Sequence, residues 1–223
     1  MARLPRLSLP DHAHWLIQRG HGGRAVFTDA ADRALYADLL REAAATEQVR
    51  LHALSLADAE VQLLATPPKL QSLSRMMQAL GRRYVSAHHR RHGGSGTLWD
   101  GRFRCAVVEP GATLLDVLCL IDSTALAHGA PWAEARRGGA GPSTLVDPPA
   151  YWPLGNTPFE RQAAWQQRLL LGVGDDRVER LRQAALGGWA VGSAAFAAQI
   201  SHAATRPATP RPRGRPARAL TPR

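Results

Sequence analysis

The sequence is short of lysine, cysteine and long apolar runs, and each shortage argues against a class of protein. Its 28 basic side chains include one lysine, Lys69, so the other 27 are arginines. The two cysteines, Cys105 and Cys119, have no C-x-x-C spacing, which excludes a disulfide framework and a zinc site built from thiolates. No run of about 18 apolar residues is present, so we expect a cytoplasmic protein that does not enter a membrane.

The residues that are present predict one main core and a basic excess. The chain has 223 residues, of which 45% are hydrophobic and 21% are charged, as in globular proteins. Its formal net charge is +10, and residues 201–223 contain six arginines and no acid. Without those six, 22 basic side chains oppose 18 acidic ones, which leaves +4 for residues 1–200. Arginine suits a phosphate-rich partner, although a G+C-rich genome would also replace lysine by arginine.

Hydrophobic periodicity predicts the element order β-α-β-β-α-β-α. The strands are expected at residues 12–19, 51–56, 61–65 and 104–109, and the helices at 29–46, 70–92 and 113–128. This is the ferredoxin-like split βαβ order, so we expect an α+β fold whose antiparallel sheet carries helices on one face. The second helix has a separate arginine side and an apolar stripe of Leu70, Leu73, Met77, Leu80, Tyr84 and Ala87.

Further segments are predicted after this core. We place the core at residues 1–128, a loop-rich linker at 129–158, a small helical extension at 159–203 and a Pro/Arg-rich tail at 204–223. The tail is expected to be disordered by itself. Its segment P-R-G-R-P at 212–216 resembles an AT-hook core, in which arginines follow the minor groove of duplex DNA. A solubilising tail without specific contacts is the alternative.

Residues 90–103 carry the most specific resemblance to a known family. They read R-R-H-G-G-S-G-T-L-W-D-G-R-F. The block is similar to R-R-H-G-R-S-G-T-L-W-E-G-R-F in REP-associated tyrosine transposases, single-tyrosine members of the His-hydrophobic-His nuclease group. Supporting segments are D-P-P-A-Y at 147–151, L-G-N-T-P at 154–158, R-Q-A at 182–184, G-W-A-V-G-S at 188–193 with Phe196, and R-G-R-P at 213–216. The resemblance implies a ferredoxin-like core that cuts single-stranded DNA beside a hairpin, through a phosphotyrosine and with Mg²⁺ or Mn²⁺.

The chain departs from that family where the chemistry resides. The family's metal-binding strand reads roughly M-P-N-H-V-H-L-L, and Glu60 and Gln62 stand in place of its two histidines. Leu120 stands in place of the nucleophilic tyrosine. Glu60 and Gln62 keep oxygen atoms that could hold a hard cation weakly, whereas leucine has no atom that attacks phosphorus. We therefore expect no catalytic residue at this position and no strand cleavage.

The predicted DNA contacts are arginines of the second helix and of residues 90–103, which we call the glycine-rich block. The candidates are Arg75, Arg82, Arg83, Arg90, Arg91, Trp99, Arg102, Arg104, Arg213 and Arg215. The arginines would contact phosphates, and Trp99 would stack on a base. A solvated basic face and a core position for the tryptophan are the alternatives. His88, His89 and His92 end the same helix, and their pattern suits contact with phosphate or solvent better than a metal site.

Two functions are compatible with these residues. The first is a transposase-family protein that binds hairpin or single-stranded DNA and flanking duplex without cutting, and without a required cofactor. The second is an active transposase or nuclease that uses Glu60, Gln62, Mg²⁺ or Mn²⁺, and either Tyr84 or water as the nucleophile. The place of Tyr84 in the apolar stripe favours core packing. We expect a monomer, a homodimer or a mixed dimer with an intact relative; a decaying gene product without a selected role is a third possibility.

Overall fold

The computed structural model describes residues 5–130, 132–133, 136, 145–204 and 206–210. The strands are β1 (His14–Arg19), β2 (Arg50–Ala57), β3 (Glu60–Thr66) and β4 (Arg104–Val107). The helices are α1 (Ala30–Thr46), α2 (Ser72–His92), α3 (Ala112–Ala127), α4 (Pro158–Leu171), α5 (Asp175–Gly187) and α6 (Ala194–Ala203). Short 3-10 turns lie at His21–Gly23 and Pro149–Leu154. Within these described ranges, no helix combines the length and the apolar character that a membrane crossing needs.

The four strands form one antiparallel sheet in the order β2-β3-β1-β4. β1 lies between β3 and β4, and its register places Arg19 opposite Glu60 and Ile17 opposite Gln62. The predicted element order is observed, and each predicted strand and helix of the first 128 residues is present within a few residues of its expected bounds. The helices are predicted by apolar residues spaced three and four apart, and the strands by short continuous apolar runs.

Helices α1 and α2 cover one face of the sheet. Their apolar side chains share a buried cluster with Leu16 of β1 and Leu63 of β3. The Asp29 carboxylate caps α1 by accepting a hydrogen bond from the Asp32 amide. Most of the predicted stripe of α2 is buried, but Leu70 precedes the helix and is 58% exposed.

Helix α3 covers the opposite face, so the expectation of helices on one face is wrong. Trp15, Ile17 and Leu64 point to this side and share a buried cluster with α3. Trp165 of α4 and Leu181 of α5 belong to the same cluster. The reason is that β1 and β3 carry large apolar side chains at both odd and even positions. Both faces of the sheet must therefore be removed from water.

The C-terminal part of the described chain packs against the sheet domain. Tyr151, within the predicted linker, is buried in the α3 cluster. Arg206 and Ala208 fall in the predicted disordered tail, yet both are buried, and the Ala190 amide donates to the Ala208 carbonyl at 2.8 Å. Disorder is therefore the wrong expectation for residues 206–210, because apolar contacts of Ala208 with Leu7 and α6 hold this segment. The predicted AT-hook arginines Arg213 and Arg215 lie outside the described residues.

Candidate nucleic-acid interface

Basic side chains surround Glu60, at the position where the family resemblance implies a metal ligand. Its carboxylate accepts a hydrogen bond from Arg19 Nε at 2.8 Å and from Arg182 Nη2 at 3.0 Å to each oxygen. The Gln62 amide donates to Glu60 Oε1 at 2.9 Å. The strand register explains this arrangement, because Arg19 lies directly opposite Glu60 and Gln62 follows on the same face. Helix α5 brings Arg182 to the pair.

The residues at this position do not fit a hard divalent cation. Two guanidinium groups already compensate the Glu60 charge, and a metal ion bound there would be repelled by both. Hard cations take six or more oxygen ligands, whereas Glu60 and Gln62 supply few. Gln62 Oε1 is buried and has no hydrogen-bond partner within the described ranges. The arrangement is an ion pair that joins α5 to the sheet.

Neither Leu120 nor Tyr84 provides a nucleophile on the face of the sheet that carries Glu60. Leu120 lies on α3, where it packs against the buried cluster below that helix. Tyr84 lies on the other side of the sheet, fully buried in the cluster of α1 and α2. Its hydroxyl donates to the Val26 carbonyl at 2.6 Å, and burial raises its pKa. The core position predicted for Tyr84 is thus confirmed.

Arginines line two adjoining hollows at the β4 edge of the sheet. The larger has a volume of about 370 Å³ and the smaller about 110 Å³, and both are lined by Asp100, Arg102 and Arg104. The larger hollow adds Arg6 and Arg206, and the smaller adds Arg19. Asp100 is the single acid among the described lining residues. We call these five arginines the β4 arginine set: Arg6, Arg19, Arg102, Arg104 and Arg206.

Two members of the β4 arginine set are fixed by aromatic rings. The Arg6 guanidinium lies 3.8 Å from the ring centre of Phe103, and the Arg206 guanidinium 5.0 Å from that of Trp189. Burial lowers the pKa of Arg6, and the charge of Arg102 lowers it further. Burial likewise lowers the pKa of Arg206. Positive charge is therefore concentrated here without a matching number of acids.

The predicted arginines of α2 form a different surface. Arg82, Arg83 and Arg90 line a shallow groove against α1 that shares no lining residue with the β4 hollows. Arg83 pairs with Glu42 at 2.6 Å.

Arg91 holds the Asp29 carboxylate through two hydrogen bonds of 2.8 and 2.6 Å. Arg75 lies near the start of α2, exposed and bonded to Gln71. The structure thus places Arg102 and Arg104 together and separates them from the arginines of α2.

Trp99 does not form a base-stacking platform. Its side chain is 7% exposed and packs near Tyr36 and Tyr84, with ring centres 6.2 Å away in each case. The loop that contains Trp99 is held to β1 by the Asp100 amide, which donates to the Arg19 carbonyl at 2.8 Å. The expectation of stacking is therefore wrong, and the core alternative is confirmed. Anchoring by Trp99 places the adjoining Asp100 and Arg102 beside β1.

Sequence reasoning missed several residues of this region. They are Arg6, Arg19, Arg182 and Arg206. Each lies far along the chain from residues 90–103. Arg182 belongs to a segment that resembles the family, but no local pattern marks any of the four as a site residue. Strand pairing and the return of the C-terminal segment bring them to the sheet edge.

Comparison with known proteins adds two similar structures. No protein-family profile and no curated protein matches this chain. The structure of the REP-associated tyrosine transposase bound to a REP hairpin is 11% identical over 58% of this chain and 76% of that one, with a TM-score of 0.48. A Deinococcus radiodurans protein provisionally assigned as a transposase is 24% identical over 55% and 98%, with a TM-score of 0.38. Both scores lie below 0.5, so the function is inferred from this chain's own residues.

Proposed function

We propose that this chain is a transposase-type DNA-binding protein that holds hairpin or single-stranded DNA at the β4 edge and does not cut it. The observation that carries this proposal is the crowding of the β4 arginine set: Asp100 is the single acid among the described residues that line the hollows, and Arg19 is the member that also pairs with Glu60. Burial lowers the pKa of Arg6, and the neighbouring charge of Arg102 lowers it further. A phosphate group would compensate the charge, and the planar guanidinium fork matches phosphate oxygens.

The shape of the region favours a flexible single strand or hairpin end. Two concave hollows share Arg102 and Arg104, so the charge continues from Arg206 to Arg19 along the sheet edge. A positively charged groove of this kind follows a nucleic-acid backbone. Because Trp99 is buried, phosphate contacts rather than aromatic stacking supply most of the affinity. Binding requires no metal ion.

The absence of cleavage in this proposal follows from side-chain chemistry. Leu120 carries no nucleophilic atom. Tyr84 is separated from Glu60 by the sheet, and its hydroxyl is engaged by the Val26 carbonyl. Glu60 is neutralised by Arg19 and Arg182. The groups that a phosphotyrosine mechanism needs are therefore replaced by groups that stabilise the fold.

Salt dependence of DNA binding tests the proposal. Fluorescence anisotropy of the full chain with a hairpin that carries a single-stranded flank gives the affinity over a range of salt concentrations. Neutralisation of about six phosphates predicts a log-log slope of roughly −5. Arg102→Ala and Arg104→Ala should each weaken binding and reduce the slope by about 1. Arg41→Ala is the charge-matched control, because Arg41 lies on α1, exposed and paired with Asp38.

The outcomes of this experiment separate binding from cleavage. A wild-type slope near zero, or variants at 102 and 104 that behave like Arg41→Ala, would refute the binding proposal. A nicking assay on the same DNA with Mg²⁺ or Mn²⁺ should show no nicked product and no covalent adduct. Nicked product would refute only the loss of cleavage.

A further inference from the structure

Asp32, His88 and His92 form a cluster remote from the β4 edge. Their side-chain ligand atoms all lie within 4.8 Å of one another. His88 and His92 are four residues apart on α2, which places them on the same side of the helix, and their ring centres are 4.6 Å apart. Asp32 comes from the first turn of α1 and is 1% exposed. The packing of α1 against α2 thus assembles two imidazoles and one carboxylate.

His88 provides the observation that points to a ligand. Both of its ring nitrogens are buried, and neither has a hydrogen-bond partner in the described part of the chain. Buried polar atoms without partners are costly, so native structures rarely leave them. A neutral imidazole nitrogen is also the most common metal ligand in proteins. Coordination by His88 would satisfy one of these atoms, whereas the hydrogen bonds of the cluster itself leave both unsatisfied.

Asp32 and His92 are spaced almost as a bound ion requires. His92 Nε2 lies 2.9 Å from each oxygen of Asp32. Zinc bonds of about 2.0–2.1 Å hold tetrahedral ligand atoms about 3.3 Å apart. If an ion takes the place of the proton in the hydrogen bond between His92 and Asp32, these two groups therefore move by a few tenths of an ångström. His88, whose ligand atom lies within 4.8 Å of the others, must move by about 1.5 Å at most.

The charges around the cluster admit a cation. Arg91 donates to Asp32, but its guanidinium also binds Asp29 through hydrogen bonds of 2.8 and 2.6 Å. The Thr28 amide donates to Asp32 Oδ2 at 2.8 Å and orients the carboxylate. Asp29 and Asp32 together carry two negative charges against the one positive charge of Arg91. A negative excess therefore remains beside the imidazoles.

We propose that Asp32, His88 and His92 bind a transition-metal dication of the zinc class. Two imidazoles and one carboxylate suit such an ion, and water completes a tetrahedral shell. The ion joins α1 to the end of α2, immediately before the glycine-rich loop at Gly93. This site has different ligands from Glu60 and Gln62 and lies on the other face of the sheet.

Direct metal binding tests the proposal without reference to DNA. The full, tag-free chain is freed of metal and titrated with Co²⁺, whose visible d–d absorption reports coordination, and with Zn²⁺ in a calorimeter. One equivalent of each should bind, and Zn²⁺ should displace Co²⁺. His88→Ala should weaken Zn²⁺ binding at least tenfold, since even loss of an outer-shell partner costs about 10–100-fold. His89→Ala is the matched control, because His89 is adjacent and outside the cluster.

A second variant guards against loss of the fold. His88→Phe keeps an aromatic ring beside Tyr84 and His92 but removes both ligand nitrogens, and it should lose the metal while unfolding like the wild type. The proposal is overturned if the wild type binds no stoichiometric metal, or if both variants at 88 bind as tightly as His89→Ala. DNA affinity is measured separately, so failure of the metal site leaves the proposed function intact, and the reverse also holds.

Discussion

Arg182 Nη2 lies 3.0 Å from both carboxylate oxygens of Glu60, although 122 residues separate the two in sequence. The side chains are 27% and 18% exposed. The contact joins α5 to β3, and Arg19 completes it from the neighbouring strand. This ion pair stands where the family resemblance implies a metal ion, and it holds α5 against the sheet.

Removal of the Glu60 charge should strengthen DNA binding. Glu60→Gln releases Arg19 and Arg182 for phosphate contact, so the log-log salt slope should become steeper by about 1. Because the ion pair is partly exposed, the free energy of unfolding should fall by no more than about 1 kcal/mol. Anisotropy titrations and urea unfolding measure the two effects.

Glu179→Gln is the control for this prediction. It removes the same charge from α5, but the Glu179 carboxylate accepts from Gln183 rather than from an arginine. Its salt slope should stay at the wild-type value. Equal slopes for Glu60→Gln and Glu179→Gln would show that Arg19 and Arg182 do not reach the DNA.

His14 should make the protein less stable in mild acid. Its buried ring accepts from the Leu9 amide at Nε2 and lies 2.7 Å from the His12 carbonyl at Nδ1, an arrangement that requires a neutral imidazole. Burial lowers its pKa to about 4. Between pH 6.5 and 4 the unfolded chain binds a proton that the folded chain does not, so stability falls as the pH falls.

The expected loss for this histidine is about 2 kcal/mol between pH 7 and pH 5. Urea unfolding at both pH values measures it. His14→Gln should be less stable than the wild type at pH 7 but should lose about 2 kcal/mol less on acidification. His21→Gln, at an exposed position, should keep the wild-type pH dependence. An unchanged dependence in His14→Gln would contradict this assignment.

Loss of Asp122 should destabilise the α3 face strongly. Arg136 donates to Asp122 at 2.6 Å and Trp165 donates to it at 3.1 Å, and both charged side chains are almost fully buried. Asp122→Ala breaks this buried pair and leaves Arg136 with the partly exposed Asp147 carboxylate, 3.0 Å from its Nε, which should cost about 3 kcal/mol. The double variant Asp122→Leu with Arg136→Met should lower the free energy of unfolding by less than Asp122→Ala does. Urea unfolding of the two single variants and the double variant measures these losses. A double variant that loses the sum of the two single losses would contradict the prediction.

Two glycines should respond to alanine in opposite directions. Gly81 lies inside α2 with no atom near an added Cβ, so Gly81→Ala should stabilise the protein by about 0.5–1 kcal/mol. At Gly20, an added Cβ would lie 2.0 Å from the Arg24 carbonyl oxygen, so Gly20→Ala forces the backbone to move. Thermal unfolding should show a higher midpoint for the first and a lower one for the second.

Local signals were sufficient for the secondary structure and insufficient for the site. The apolar stripe of α2 and the short apolar run of β1 act through neighbours in sequence, so their elements are observed where they are expected. Trp99 has no comparable local signal. Its burial depends on Tyr36 and Tyr84, which reach it only when α1 and α2 pack together.

The chemistry available at each position could be known before folding, because it is a property of covalent structure: Leu120 has no nucleophilic atom in any conformation, and the arginine excess is independent of shape. Proximity is different. Arg19, Arg182 and Glu60 meet through strand register and the docking of α5, and Asp32 reaches His88 through the packing of α1 on α2. Such contacts are made by hydrophobic burial over the whole domain, which no short stretch of residues encodes.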